Sequence, residues 1–107
     1  MEAALKAIAE PTRRRILTLV RDEELSAGEI ASHFEVTRPA VSQHLTVLKE
    51  AGLVHERRNG TRRLYSVRPE GFKEVKSFLD AFWDERLAAL KLEAEREERK
   101  KRGQHHH

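Results

Sequence analysis

Arg38, Ser42, Gln43, Thr46 and Lys49 recur at helical spacing. On a wheel advancing about 100° per residue they share one arc, and Val41, Leu45 and Leu48, flanked by Ala40, Val47 and Ala51, fall in the opposite one. The polar arc carries hydroxyl, amide and guanidinium donors, and its acidic member, Glu50, comes only at the far end. Groups of this kind hydrogen-bond base edges and phosphate oxygens, and the bidentate donors of Arg and Gln match guanine and adenine edges. The chemistry indicated is recognition of a nucleic acid rather than bond making.

Other chemistry finds little support. Ser42 and His44 are two residues apart and point about 200° away from each other on a helix, so they are no nucleophile–base pair. No glycine-rich phosphate loop or paired acids can be picked out, which argues against an enzyme. The chain has no cysteine, hence no disulfide framework and no thiolate metal site. His33, His44 and His55 are spread over three segments without ligand spacing, and residues 70–100 contain no histidine. Asp80, Asp84 and Glu85 there are ordinary on a polar face. Neither a metal nor a cofactor is expected. His44 falls in the middle of the apolar arc, so a largely buried, hydrogen-bonded structural role is expected of it.

The elements that must position the polar arc announce themselves locally. Ser26 and Glu29 have the capping-box spacing, with Leu25 and Ile30 as a hydrophobic staple, so a helix starts there and buries Ile30, Ala31 and Phe34. Glu35-Val36-Thr37 reads as a turn. Thr37 then caps a second helix that tolerates Pro39 in its first turn and ends at Ala51-Gly52. Residues 25–51 are therefore expected to form a helix-turn-helix. Upstream, residues 3–9 and 11–22 read as two helices separated at the Glu10-Pro11 step, the second carrying Ile16, Leu17, Leu19 and Val20. Arg13, Arg14 and Arg15 in its first turn oppose the helix dipole. Pairing of at least one with an acid such as Glu2 or Glu10 is the favoured explanation, phosphate contact the other.

Downstream, Leu53–Arg58 and Thr61–Val67 read as strands joined by Asn59-Gly60, a pair suited to a type I′ turn. Arg57, Arg58, Arg62 and Arg63 bracket that turn and repel one another unless something anionic lies between them. Residues 36–68 hold seven Arg and Lys against two acids, whereas residues 1–35 hold five basic and seven acidic residues. The basic excess is thus localised, the footprint of a polyanion partner. An acidic protein is the competing partner, but the reading arc lacks the aromatic anchors of protein interfaces.

After Pro69, residues 70–100 form one long helical pattern with Phe72, Val75, Phe78, Leu79, Phe82, Trp83 and Leu90 in a broad apolar arc that holds four of the six aromatics. So much apolar surface on a terminal helix marks an association face. Dimerisation through it, joined by residues 3–9 with Leu5 and Ile8, is the economical solution; folding back over the chain's own core is the alternative. Residues 1–93 are expected to form one DNA-binding and dimerisation domain. Residues 94–107 read as a charged helical extension fraying toward Gly103, with His105–His107 resembling a tag remnant. Nothing approaches a membrane span or a secretory signal, and cytoplasm is the default location.

The order of elements and three segments resemble the arsenic-repressor-like (ArsR-type) winged helix-turn-helix regulators over residues 3–93. The segments are Glu10-Pro-Thr-Arg-Arg-Arg-Ile-Leu, Arg38-Pro-Ala-Val-Ser-Gln-His-Leu with Leu48-Lys-Glu-Ala-Gly-Leu-Val, and Arg57-Arg-Asn-Gly with Tyr65. The resemblance implies a mainly α fold with a small β-hairpin, and a homodimeric repressor of an inverted-repeat operator in double-stranded DNA. Arg38, Ser42 and Gln43 would then read base edges, with Thr37 and Thr46 near phosphate. Lys49, Arg57 and Arg58 would contact the backbone, and Arg62 or Arg63 would enter the minor groove. Metal-sensing cysteines of the family's first helix-turn-helix helix are missing from Glu24-Leu-Ser-Ala-Gly-Glu-Ile. What releases DNA, whether a small ligand or a partner protein, is left open.

Overall fold

The computed structural model describes the backbone of residues 1–105 and the side chains of residues 1–83 and 89–98. The chain divides into two compact units, Met1–Val75 and Lys76–His107. The first unit contains α1 (Glu2–Ile8), α2 (Pro11–Asp22), β1 (Leu25–Ser26), α3 (Ala27–Ala31), α4 (Arg38–Glu50), β2 (Val54–Asn59), β3 (Arg62–Val67) and a 3₁₀ turn (Pro69–Phe72). It ends in the first residues of α5 (Lys73–His105), whose remainder is the second unit. Ile16, Val20, Ile30, Val41, Leu45, Leu48 and Leu53 are wholly withdrawn from water and make the core of the first unit.

Local chemistry sets the helix ends. Glu10 accepts the Arg13 amide at 2.9 Å and Pro11 follows it, so α2 starts on a side-chain cap and a pre-set φ. The Ser26–Glu29 capping box is formed in both directions, at 3.2 and 3.0 Å. Thr37 caps α4 by accepting the Ala40 amide. At its other end the amides of Gly52 and Leu53 bond the carbonyls of Lys49 and Leu48, each at 2.9 Å, a Schellman closure with Gly52 at φ +76°.

Several expectations are corrected. The helix opening at Ser26 stops at Ala31. The Ser32 hydroxyl takes the Glu29 carbonyl at 2.6 Å, and the amides of His33 and Phe34 fall back to residues three positions earlier. A side chain competing for a helix carbonyl tightens the backbone, so Phe34 reaches the core from a turn. The hairpin loop lies one residue later in the chain than the sequence suggests. Asn59 pairs with Arg62, leaving Gly60-Thr61 as the loop, and only Gly60, at φ +68°, is left-handed. That is the glycine-first pattern of a type II′ turn, not the Asn-Gly type I′. A third strand, β1, pairs with β3 through Leu25↔Tyr65 and Ser26↔Leu64, giving the antiparallel order β1-β3-β2.

Among the described residues no ion pair joins Arg13, Arg14 or Arg15 to Glu2 or Glu10, and two of the three turn to backbone carbonyls instead. Arg13 donates to the carbonyls of Ala7 at 2.6 Å and Lys6 at 3.1 Å, and Arg14 to those of Ile8 and Ala9 at 2.8 and 3.0 Å. These are the orphan carbonyls at the C-terminus of α1, the end of a helix that attracts cations. Arg15 lies over the Phe34 ring, 4.5 Å from its centroid. Arg13 also reaches Nδ1 of His44 at 3.3 Å. Glu10 stands 3.9 Å from the same nitrogen, beyond hydrogen-bond range; since a guanidinium only donates, the Arg13 contact makes that nitrogen the acceptor. His44 is thus hydrogen-bonded as expected, with its side chain about 22% exposed.

Before α5, Gly71 packs directly on Gly52: a Cβ at 71 would stand 1.8 Å from the Gly52 carbonyl oxygen. Neither backbone can yield cheaply. Gly71→Ala is therefore expected to lower unfolding free energy by about 2 kcal/mol or more in chemical denaturation; an unchanged midpoint would contradict this packing.

Candidate nucleic-acid interface

The exposed edge of α4 follows from what its other edge buries. Val41, Leu45 and Leu48 are 0–1% exposed, which leaves Arg38, Ser42, Gln43, Thr46 and Lys49 on the solvent side. Thr46 donates to the Ser42 carbonyl at 3.0 Å, and the Thr37 oxygen is engaged by the helix cap. Among the described residues no hydrogen bond or ion pair occupies the side chains of Arg38 or Gln43. Lys49 stands 3.4 Å from Glu56. A groove runs between this edge, the start of α3 and the hairpin, with Gly28, Arg38, Ser42, Thr46, Glu56 and Arg62 on its walls.

In the wing formed by β2 and β3, three of the four arginines that bracket the turn stand beside carboxylates of the chain itself. Arg57 grips Glu24 with a two-pronged bond at 2.7 and 3.0 Å. Arg62 donates to Glu29, and Arg63 stands 3.8 Å from Glu56. Arg58, opposite Arg63 in the hairpin, is exposed and without an ion pair among the described residues. Cross-strand alternation puts Glu56, Arg58, Arg63 and Tyr65 on one face. There Glu56, with its side chain about 20% exposed, also accepts the Tyr65 hydroxyl at 3.1 Å and lies diagonal to the Arg58–Arg63 pair.

These contacts shift the titration of the groups involved. The Arg57 guanidinium holds Glu24 below the ordinary carboxylate value of 4.5, and Glu24 in turn raises Arg57. Glu29 is lowered first by the amide and hydroxyl of Ser26 and further by Arg62. Burial, then the Glu56 carboxylate, raises the Tyr65 hydroxyl. Glu24, Glu29 and Glu56 were not singled out as site residues by sequence reasoning. Glu29 stood out only as a cap, and the position of Glu24 depends on the unforeseen strand β1.

The association face expected on the last helix divides. Val75 is 6% exposed and belongs to the core of the first unit, while Leu5, Ile8 and Phe72 are half-buried against it. Phe78, Leu79, Phe82, Trp83 and Leu90 are exposed, with Phe82 and Trp83 in edge-to-face contact at 5.6 Å. Among the described residues no three His, Cys, Asp or Glu side chains gather in a metal-binding group. The side chains of Asp84 and Glu85 lie outside the described residues, as do His106 and His107.

A three-helix core, a helix-turn-helix with an outward polar edge and a basic two-stranded wing define a winged helix-turn-helix, DNA-binding transcription regulator. The sequence profile of the bacterial regulatory protein, arsR family, matches residues 10–56. The HTH-type transcriptional regulator Rv2034 of Mycobacterium tuberculosis is 45% identical over 80% of this chain and 80% of its own. The transcriptional repressor SdpR of Bacillus subtilis is 42% identical over 63% of this chain and 74% of its own. The solved ArsR-like transcriptional regulator from Rhodococcus sp. RHA1 superposes with a TM-score of 0.72 at 32% identity, covering 88% of this chain and 89% of that one. The chain belongs to the arsR family.

Because Glu24 has a depressed folded pKa, the stability its pair contributes is fully present above 4.5 and is lost as pH falls below that through the depressed value. Thermal melts of the wild type and Glu24→Gln should therefore differ at neutral pH and converge on acidification. A gap that persists unchanged into acid would assign the effect to something other than the ion pair.

Proposed function

We propose that the chain is a homodimeric, sequence-specific repressor, without catalytic activity, that acts in the cytoplasm on an inverted-repeat operator. The observation that carries this is the state of the α4 edge. Arg38 and Gln43 stand exposed and uncommitted on a helix whose other side is locked in the core. In this reading α4 enters the major groove, with Arg38, Ser42 and Gln43 at base edges and Thr37, Thr46 and Lys49 toward phosphate. The wing arginines 57, 58, 62 and 63 lie along the flanking backbone, with Arg62 or Arg63 at the minor groove. The bacterial relative named a transcriptional repressor supports that direction of control.

Dimerisation rests on Phe78, Leu79, Phe82, Trp83 and Leu90. Bringing each large ring out of water is worth about 2–3 kcal/mol from roughly 100 Å² of apolar area, and a second copy offers the same face in return. Residues 1–93 then serve as one DNA-binding and dimerisation domain, and 94–107 as an appended charged helix. No described helix is long and apolar enough to cross a membrane.

Selection from a random duplex pool should return an inverted repeat with half-sites about one helical turn apart, or a multiple of it. Against that sequence, Arg38→Ala and Gln43→Ala should each cost about 1–3 kcal/mol at one base position, whereas Arg58→Ala should weaken all duplexes alike and flatten the salt dependence. Equal binding of selected and scrambled duplexes would refute sequence-specific reading.

In sedimentation, the wild type should run as two chains and Phe82→Glu with Trp83→Glu as one, with operator binding weakened. A wild type that sediments as a single chain at the concentrations used for binding would refute the dimer.

A further inference from the structure

The Glu29 carboxylate is used twice. Its Oε1 accepts the Ser26 amide, closing the cap of α3, and the same oxygen accepts Nη2 of Arg62 from the wing. Arg57 and Arg63 have carboxylates of their own in Glu24 and Glu56. The wing therefore carries its counter-ions with it, and the basic excess visible in the sequence is partly spent before any duplex arrives.

We propose that Glu29 is an internal counter-ion of Arg62: a positioning residue that holds the wing arginine against the start of α3 and restrains sequence-independent binding to DNA. This rests on the reading that the wing lies on the phosphate backbone. Arg62 cannot neutralise a phosphate while it neutralises Glu29. As the pair approaches DNA it brings no net charge and counts for nothing toward the counter-ions released. To engage, Arg62 must exchange one carboxylate for one phosphate, an exchange of like for like in which DNA gains little. Both side chains are about half exposed, so the exchange is available without disturbing the core.

The double role of Glu29 supplies a clean variant. Gln at the third helical position sustains a capping box as Glu does, so Glu29→Gln should preserve the α3 cap while removing the charge that Arg62 faces. The probe is a labelled duplex of mixed sequence, with binding followed by fluorescence anisotropy over a series of salt concentrations. Glu29→Gln should bind about two- to fivefold tighter at low salt, the scale of one exposed ion pair. Its log–log salt slope should steepen by about 0.9 for each wing engaged. Its melting midpoint should fall by no more than that of Glu24→Gln, which likewise gives up one exposed pair. In an Arg62→Ala background the same Glu29→Gln change should leave affinity and slope unmoved.

A purely structural role for Glu29 would move the melting midpoint and leave the slope alone, which overturns the proposal. So does an equal tightening with and without Arg62, since that would reflect overall charge and not this pair. If Arg62→Ala weakens binding and Glu29→Gln is silent, the counter-ion role fails and the wing stays on phosphate. If Arg62→Ala changes nothing even in the Glu29→Gln background, where the arginine is released from its carboxylate, the placement of this arginine on the backbone fails, and the proposal with it.

Discussion

Withdrawal of Val41, Leu45 and Leu48 from water is the constraint on which the rest of this protein depends. Three residues on one side of a 13-residue helix, each at 0–1% exposure, leave α4 no freedom to turn about its axis. A rotation by one residue's worth of arc would expose one of them and bury a polar neighbour in its place. The direction in which Arg38, Ser42 and Gln43 point is thus set by packing against Ile16, Val20 and Ile30 rather than by their own contacts. The caps extend the same control to the ends. Thr37 fixes where the helix begins, and the Schellman closure at Gly52 fixes where it stops, so β2 starts in a defined direction.

The supporting helices are joined by hydrogen bonds to charged groups that a helix-by-helix view does not anticipate. Considered alone, α2 carries three cations at the wrong end of its dipole. In the fold, two of them serve a different helix, for Arg13 and Arg14 lie at the negative end of α1 and bind four of its carbonyls. The Arg13 guanidinium goes on to His44 on α4. One side chain on α2 is thereby hydrogen-bonded to both α1 and the reading helix. A lysine, with a single nitrogen in place of the planar fork, could not span these acceptors.

What was legible in the sequence was what neighbouring residues decide among themselves. Both N-caps of the helix-turn-helix, the glycine stop, the period of α4 and the existence of the hairpin each rest on contacts within a few positions. The misses share the opposite character. Strand β1 is two residues long and exists only because Tyr65 and Leu64, some forty residues away, present a free edge to it. The partners of the wing arginines depend on that strand, because β1 lies immediately after Glu24 and immediately before the helix that carries Glu29. The one-residue displacement of the hairpin loop has a subtler origin. Asn-Gly and Gly-Thr are both acceptable two-residue loops, and a single left-handed glycine satisfies the second without straining an asparagine. The early end of α3 turned on a serine hydroxyl competing for one carbonyl, which no periodicity registers.

The contrast between the two sets of arginines has a physical logic of its own. A wing arginine proposed to meet phosphate can rest on a carboxylate, because the phosphate that replaces it is also an anion and the strong charge-assisted bond is recovered. An arginine proposed to meet a guanine edge has no such exchange, since O6 and N7 are neutral acceptors and would have to displace a charged one. A carboxylate at Arg38 would win that competition and silence the contact. Among the described residues, Arg57, Arg62 and Arg63 have carboxylate partners and Arg38 has none. With Arg58, unpaired on the wing, as the exception, the division of ion pairs runs the way the proposed division of labour requires: charge balanced at three of the four wing arginines, and left open at Arg38, where a base must be read.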